Sequence, residues 1–375
     1  MKFELQLSQS GILENSRIKF YFPKLWLHLS QLLAPAANSN YAIPVWKATT
    51  GSTKFCGGID AAMGWLWGKS SNGFGASTTA EEATEGIDAS GLTAVVTGAF
   101  KGIGVHTART LAKRGAHVIM AGRNLTDGAA ARQGILNDIP EAKVEVMELD
   151  LASFDSVRAF AKEYSRKDLP LNILINNAGV MGNPFTLSKD GIELQFATNH
   201  LGHFLLTNLL LDNLKTTAQS SGVEGRIVNV SSMAHAWTYS GGIRWGKLNE
   251  EKGYQAMKAY GQSKVANICH AKELARRLKE EKANVTANSL HPGGISTDLQ
   301  RHMNVLGAAM RLVGLFMKTV PQGAATACYV ALHPNVKGVS GEYFNNCNIA
   351  QPSSNAMNSE IAKRLWDVSV EMTSK

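Results

Sequence analysis

A doubly wound α/β fold, one domain with seven parallel strands and helices on both faces, is predicted by three observations. Short apolar runs suited to buried strands alternate with helical patterns from residue 91 onward. A glycine-rich turn joins the first such run to the first helix. Small, amide and hydroxyl residues stand where later strands end, in Asn176-Asn177-Ala178-Gly179 and Ser231-Ser232. Alternation at this pitch demands parallel strands, because each crossover helix returns the chain to the same end of the sheet.

Taken in order, the first strand is 93–97, followed by Gly98-Ala99-Phe100-Lys101-Gly102-Ile103-Gly104 and a helical pattern through Arg114. The second strand is 117–121, ending in Gly122-Arg123, and a helix over 126–139 is closed by Pro140. Strand 144–148 leads into Asp150-Leu151, helix 153–165 follows, and strand 172–175 runs into the amide-rich turn. A long helical pattern, 190–214, carries Asn199, His200 and His203. Strand 226–230 ends at the two serines. The connection 233–258 is long and holds Trp237, Tyr239 and Trp245 before the helix with Tyr260-Gly261-Gln262-Ser263-Lys264. The sixth strand, 284–290, precedes His291-Pro292-Gly293-Gly294, and Thr297 lies just beyond. Residues 303–320 are apolar and rich in methionine. A helix over 322–332, a seventh strand at 341–344 and a last helix over 361–370 complete the reading. The segmentation is therefore 1–62 as an extension, 63–90 as an N-terminal segment, 91–350 as the α/β domain and 351–375 as a C-terminal helix.

Composition narrows the class. A net charge of +8 on 375 residues fits an anionic ligand or a membrane surface, and there is no aromatic-plus-basic signature of nucleic-acid binding. The four cysteines, Cys56, Cys269, Cys328 and Cys347, have no zinc spacing and read as reduced thiols. No run approaches the ~20 apolar residues of a membrane span. Residues 1–62 read as a targeting segment or as the product of a mis-assigned start, with Met63 the alternative start. Trp65 and Trp67 would then rest at a membrane interface or pack on the domain.

Strand, glycine turn and helix is the arrangement that sets a pyrophosphate on a helix N-terminus. Gly98, Gly102 and Gly104, with Ile103 between, would let backbone approach a dinucleotide closely. An arginine after the second strand suits a 2′-phosphate, so Arg123 with Lys101 points to NADP(H). Asn177, Ala178 and Gly179 would lie beside the cofactor. His200 and His203, three apart, read as helix packing rather than a metal pair, and no metal is expected. Tyr260 and Lys264 share one helix face. An ammonium about 4 Å from the phenol, at an effective dielectric near 20, would favour phenolate by roughly 4 kcal/mol, about three pKa units.

Thr97-Gly98-x-x-x-Gly102-x-Gly104, Asp150, Asn176-Asn177-Ala178-Gly179 and Tyr260-x-x-x-Lys264 together resemble the classical short-chain dehydrogenase/reductase family over about residues 91–347. The resemblance implies a Rossmann-type fold and hydride exchange between NADPH/NADP+ and a carbonyl or alcohol substrate. It makes Asn199, Ser232, Tyr260 and Lys264 the catalytic set, with Ser231 the fallback serine. It gives Asp150, with Leu151 beside it, the adenine contact. Tyr260 and Lys264 also hold the nicotinamide ribose, Pro292 and Gly293 lie over the nicotinamide, and Thr297 meets its carboxamide. Residues 303–320 become a substrate lid; their mixed face also suits a membrane surface or calmodulin. The 199–211 run resembles the branch of retinol dehydrogenases and protochlorophyllide reductases. Stretches 73–82 and 86–92 resemble plant members associated with the chloroplast inner-envelope protein translocon. That likeness implies a peripheral envelope location, translocon and calmodulin partners, and a redox-sensing role as the rival to an enzyme. The family also offers pairing of copies through the helices bearing Asn199 and Tyr260. An epimerase sharing Tyr-x-x-x-Lys is disfavoured by the glycine spacing.

Overall fold

The computed structural model describes residues 72–295 and 318–374, all within one compact unit, Cys56–Lys375. Thr297, Trp65, Trp67, Cys56, the extension 1–62 and most of the expected lid (303–317) lie outside the described residues.

The elements are β1 (Thr93–Thr97), α1 (Gly102–Lys113), β2 (His117–Gly122), α2 (Leu125–Asp138), β3 (Val144–Glu148), α3 (Phe154–Arg166) and β4 (Ile173–Asn176). They continue with α4 (Gly202–Ser221), β5 (Gly225–Val230), α5 (Ala256–Glu280), β6 (Val285–His291), α6 (Val320–Leu332), β7 (Tyr343–Asn345), β8 (Asn348–Ala350) and α7 (Ser359–Thr373). The sheet order is β3-β2-β1-β4-β5-β6-β7-β8. The seven expected strands are parallel, and β8 pairs antiparallel with β7. This eighth strand is an addition to the expected sheet. It is reached by a two-residue turn whose residues, Asn346 and Cys347, both have positive φ, as a tight hairpin of matching twist requires.

Side-chain alternation along the strands feeds two cores. Val95, Ile119 and Leu174 point into one, with α3, α4 and α5; Ala94, Val96, Val118, Met120 and Ile175 point into the other, with α1, α2 and α6. All five residues of β1 are buried, so the sheet centre is dry on both faces. Each large side chain buried this way contributes about 1.5–3 kcal/mol. Helix starts are set by side chains: Asn124 caps α2, Ser153 caps α3, and Thr319 with Gln322 forms a capping box on α6. Gly222, at φ 69°, ends α4.

The expected long helix 190–214 is interrupted. One turn, Leu194–Phe196, passes into a π-helical segment, Ala197–Leu201, before α4 begins. Such an inserted residue is costly and is typical of functional sites. The segment contains Asn199. α7 lies across α4 and α5, the helices through which the resemblance offers pairing of copies. Trp366 meets Phe204 edge to face with centroids 5.0 Å apart, Arg277 covers the indole at 4.3 Å, and Ser369 bonds His200 Nε2 at 2.8 Å.

Candidate active site

The strand order reverses between β1 and β4, and a crevice must form there beyond the strand ends. A cavity of about 960 Å³ occupies this place. Along one side it is lined by Gly98, Lys101, Gly102, Ile103, Gly104 and Arg123, and by Asp150, Leu151, Asn177, Ala178 and Gly179. Along the other it is lined by Ser232, Tyr260, Lys264, Pro292 and Gly293. Motifs up to 195 residues apart in sequence, from Gly98 to Gly293, thus share one cavity. Asn199 is the exception: it is buried behind the cavity and acts on the wall through Val180.

The first half of the site is shaped by backbone. Gly98 has φ 65°, and a methyl group on it would stand 2.9 Å from Ala178 Cα. A methyl group on Gly104 would overlap the Gly98 carbonyl oxygen and come 2.6 Å from Asn177 Nδ2. Glycine here brings the start of α1 against the end of β4. Lys101 precedes α1 without a side-chain cap, so first-turn N–H groups face the crevice. Such a cradle fits a dinucleotide pyrophosphate. Arg123 is exposed at the cavity rim. Lys101 is held by Asp127, Nζ to Oδ2 2.7 Å. Asp150 accepts from Ala152 N at 3.1 Å and pairs with Lys189 at 3.3 Å.

The second half is shaped by buried side chains. Lys264 Nζ donates to Val230 O at 3.0 Å, which aims the ammonium at the end of β5. Burial pushes its pKa down to about 8. Burial pushes the Tyr260 phenol up to about 12, and a hydrogen bond with the Ser232 hydroxyl opposes that shift. The expected lowering of Tyr260 by Lys264 is therefore corrected. The ammonium lies 5.6 Å from the ring centroid, and burial of the phenol dominates the shift.

The two serines separate cleanly. Ser231 Oγ donates to Lys264 O at 2.8 Å, a buried bond that steadies α5. Ser232 is half-buried, lines the cavity and bonds Tyr260. Asn199 clamps the turn after β4: its Oδ1 accepts from Val180 N at 2.8 Å, and its Nδ2 donates to Val180 O at 2.9 Å and to Ser263 Oγ at 2.9 Å. His200 and His203 take separate partners, Ser369 for the first and Thr97 with Asn199 for the second.

The long connection after β5 supplies Met233, Ala234 and Trp237 to the wall, and the first turn of α5 supplies Met257. Tyr239 and Trp245 go elsewhere, beneath Arg244 and Arg364. Met257 and Met181 were not singled out from sequence, although Met257 stands three residues before Tyr260 on the same helix face. Thr97 and His203 were missed as partners because 106 residues separate them.

A parallel α/β sheet with a glycine cradle at its switch point and a Ser-Tyr-Lys group across the same cavity defines an oxidoreductase that takes a nicotinamide cofactor. A sequence profile described as short chain dehydrogenase matches residues 92–305. The chain belongs to the short-chain dehydrogenase family. It is 52% identical over 302 residues to the short-chain dehydrogenase TIC 32 B, chloroplastic, of Brassica napus, covering 80% of this chain and 94% of that protein. It is 44% identical over 289 residues to retinol dehydrogenase 11 of Homo sapiens, covering 77% and 88%. Among solved structures, an uncharacterised protein from Mycobacterium Paratuberculosis aligns with a TM-score of 0.63 at 35% identity, covering 78% of this chain and 97% of that one. The RhlG/NADP active-site complex of Pseudomonas aeruginosa shares the fold, with a TM-score of 0.55 at 24% identity, covering 68% and 95%. No helix among the described residues is long and apolar enough to cross a membrane.

Proposed function

We propose that the chain is an NADP(H)-dependent oxidoreductase that interconverts a carbonyl and an alcohol, with Tyr260 as general acid/base. The observation that carries this reading is the meeting of Ser232, Tyr260 and Lys264 with the glycine cradle in one cavity. Bound NADPH would supply hydride. Gly98, Gly102 and Gly104 would hold the pyrophosphate, Arg123 and Lys101 the 2′-phosphate, and Asp150 the adenine side. Asn177, Ala178, Gly179, Pro292 and Gly293 would flank the remainder, and Thr297 is the proposed carboxamide partner.

Ser232 would donate to the substrate oxygen as negative charge develops there. Tyr260, protonated at neutral pH because burial holds its pKa near 12, would deliver its proton to that oxygen. Lys264 would hold the nicotinamide ribose and place positive charge beside the phenol. Asn199 would hold the turn after β4 and relay protons towards Lys264. Residues 1–62 remain proposed as a targeting segment or mis-assigned start, ahead of the segment 63–90, the domain 91–350 and the C-terminal helix region 351–375.

The test is NADPH oxidation measured against aldehydes, retinals and quinones. Turnover of one carbonyl class is the expected result and would name the substrate. Cofactor binding with no turnover across the panel would instead favour a second reading, supported by the 52% identity to a chloroplastic TIC 32 protein. In that reading the chain is an NADP(H)-binding redox-sensing subunit, peripheral to the chloroplast inner envelope, with translocon subunits and calmodulin as partners.

A further inference from the structure

We propose that His203 is a positioning residue that locks the cofactor-facing turn 177–180 to the π-helical segment carrying Asn199. The turn is held at two points. Thr97 Oγ1 accepts from Asn177 N at 2.9 Å and from Ala178 N at 3.0 Å. Asn199 takes both the N–H and the carbonyl of Val180. His203 joins the two holders: its Nε2 lies 2.8 Å from Thr97 Oγ1, and its Nδ1 lies 3.0 Å from Asn199 O. All three side chains are buried. The result is a closed ring of hydrogen bonds from β1 through α4 and the π-helical segment back to the end of β4.

Counting donors and acceptors fixes every bond in the ring. A carbonyl oxygen only accepts, so His203 Nδ1 must carry the proton that reaches Asn199 O. Neutral imidazole has one N–H, so Nε2 is an acceptor and takes the Thr97 hydroxyl proton. The two lone pairs of Thr97 Oγ1 are then left for Asn177 N and Ala178 N. The other acceptor near that hydroxyl, Ile175 O, is farther away at 3.4 Å. Burial and the nearby Lys264 ammonium push His203 down to about 4, which keeps the ring neutral and its bonds in this direction. Asn199 Nδ2 also reaches Ser263, next to Lys264, so the ring connects the cofactor turn to the helix of the Ser-Tyr-Lys group.

This inference rests on the reading of the cavity as a nicotinamide site, and the experiment separates the two. NADPH and NADH affinity is measured by titration of the full-length chain, as wild type, Thr97→Val, His203→Leu, the double variant and Thr97→Ser. If His203 acts through Thr97, each single change weakens NADPH about tenfold, and the double variant is about tenfold weaker rather than a hundredfold. Thr97→Ser, which keeps the hydroxyl, restores wild-type affinity within about twofold. Because leucine at a buried polar site can prevent folding, His203→Gln and His203→Asn form a second set. Gln reaches Thr97 and retains most of the affinity; Asn reaches only Asn199 and loses it. Independent effects in the double variant, or unchanged affinity in His203→Leu, would overturn the coupling while leaving the cofactor reading intact. Failure of wild type to bind either nicotinamide would overturn both.

Discussion

The two sides of the cavity are built by different means. From β1 to β4 the wall is shaped mainly by backbone: glycines, a helix N-terminus and a turn of small residues. From the π-helical segment to β6 the wall is side chain, and each group is aimed by a buried partner. Lys264 is aimed by the carbonyl of Val230, Asn199 by Val180 and Ser263, and the serines by being divided between α5 and the cavity. A backbone wall has nowhere to put an added atom. A side-chain wall tolerates volume but depends on each hydrogen bond, because a buried polar group without a partner costs about 1–3 kcal/mol. The first side should therefore fail by steric clash and lose binding. The second should fail by altered protonation or aim and lose rate.

The largest effect on binding is expected at Gly104. Gly104→Ala places a methyl group against the Gly98 carbonyl and should weaken NADPH by roughly 100-fold, read by fluorescence titration. Near-native affinity would mean the backbone wall yields more readily than close packing allows. Next is Arg123→Glu, which should weaken NADPH about 30-fold and leave NADH within about twofold. Equal losses for both cofactors would remove Arg123 from the 2′-phosphate site.

On the side-chain wall, pH is the sharper tool. Burial lowers Lys264 to about 8, so its positive charge is present below that pH and lost above it. Carbonyl reduction should hold level through neutral pH and fall about tenfold between pH 8 and 9 or so, a limb absent in Lys264→Met. A profile level to pH 10 would contradict a role for that charge. The smallest effect is expected at Asp127, which holds Lys101 in a half-exposed ion pair. Asp127→Asn should release the lysine and tighten NADPH about threefold without affecting NADH. Unchanged NADPH affinity would show that Lys101 is already free to meet the phosphate.

The same contrast explains what the sequence made legible. Backbone-shaped features announce themselves as spacing, so the glycine turn, Asn177-Ala178-Gly179 and the seven parallel strands could be read directly, with strand ends displaced by a residue or two. β8 could not be. It has three residues and follows a turn of Asn346 and Cys347 rather than the usual Asn-Gly. Side-chain geometry is harder to see. Adjacent serines look alike until Ser231 is found bonded to Lys264 O. His203 reads as packing until its partner Thr97 is brought across from β1. The Tyr260–Lys264 spacing is legible in sequence, but the burial that pushes the phenol up is not.

The most direct measurement compares wild type and Tyr260→Phe on the same samples, with NADPH affinity by calorimetry and turnover of the responding carbonyl by NADPH oxidation. The account predicts affinity within about twofold and turnover reduced by about a thousandfold, since only the proton donor is removed. Retained turnover with unchanged affinity would contradict Tyr260 as the acid and, with it, the proposed chemistry of the site.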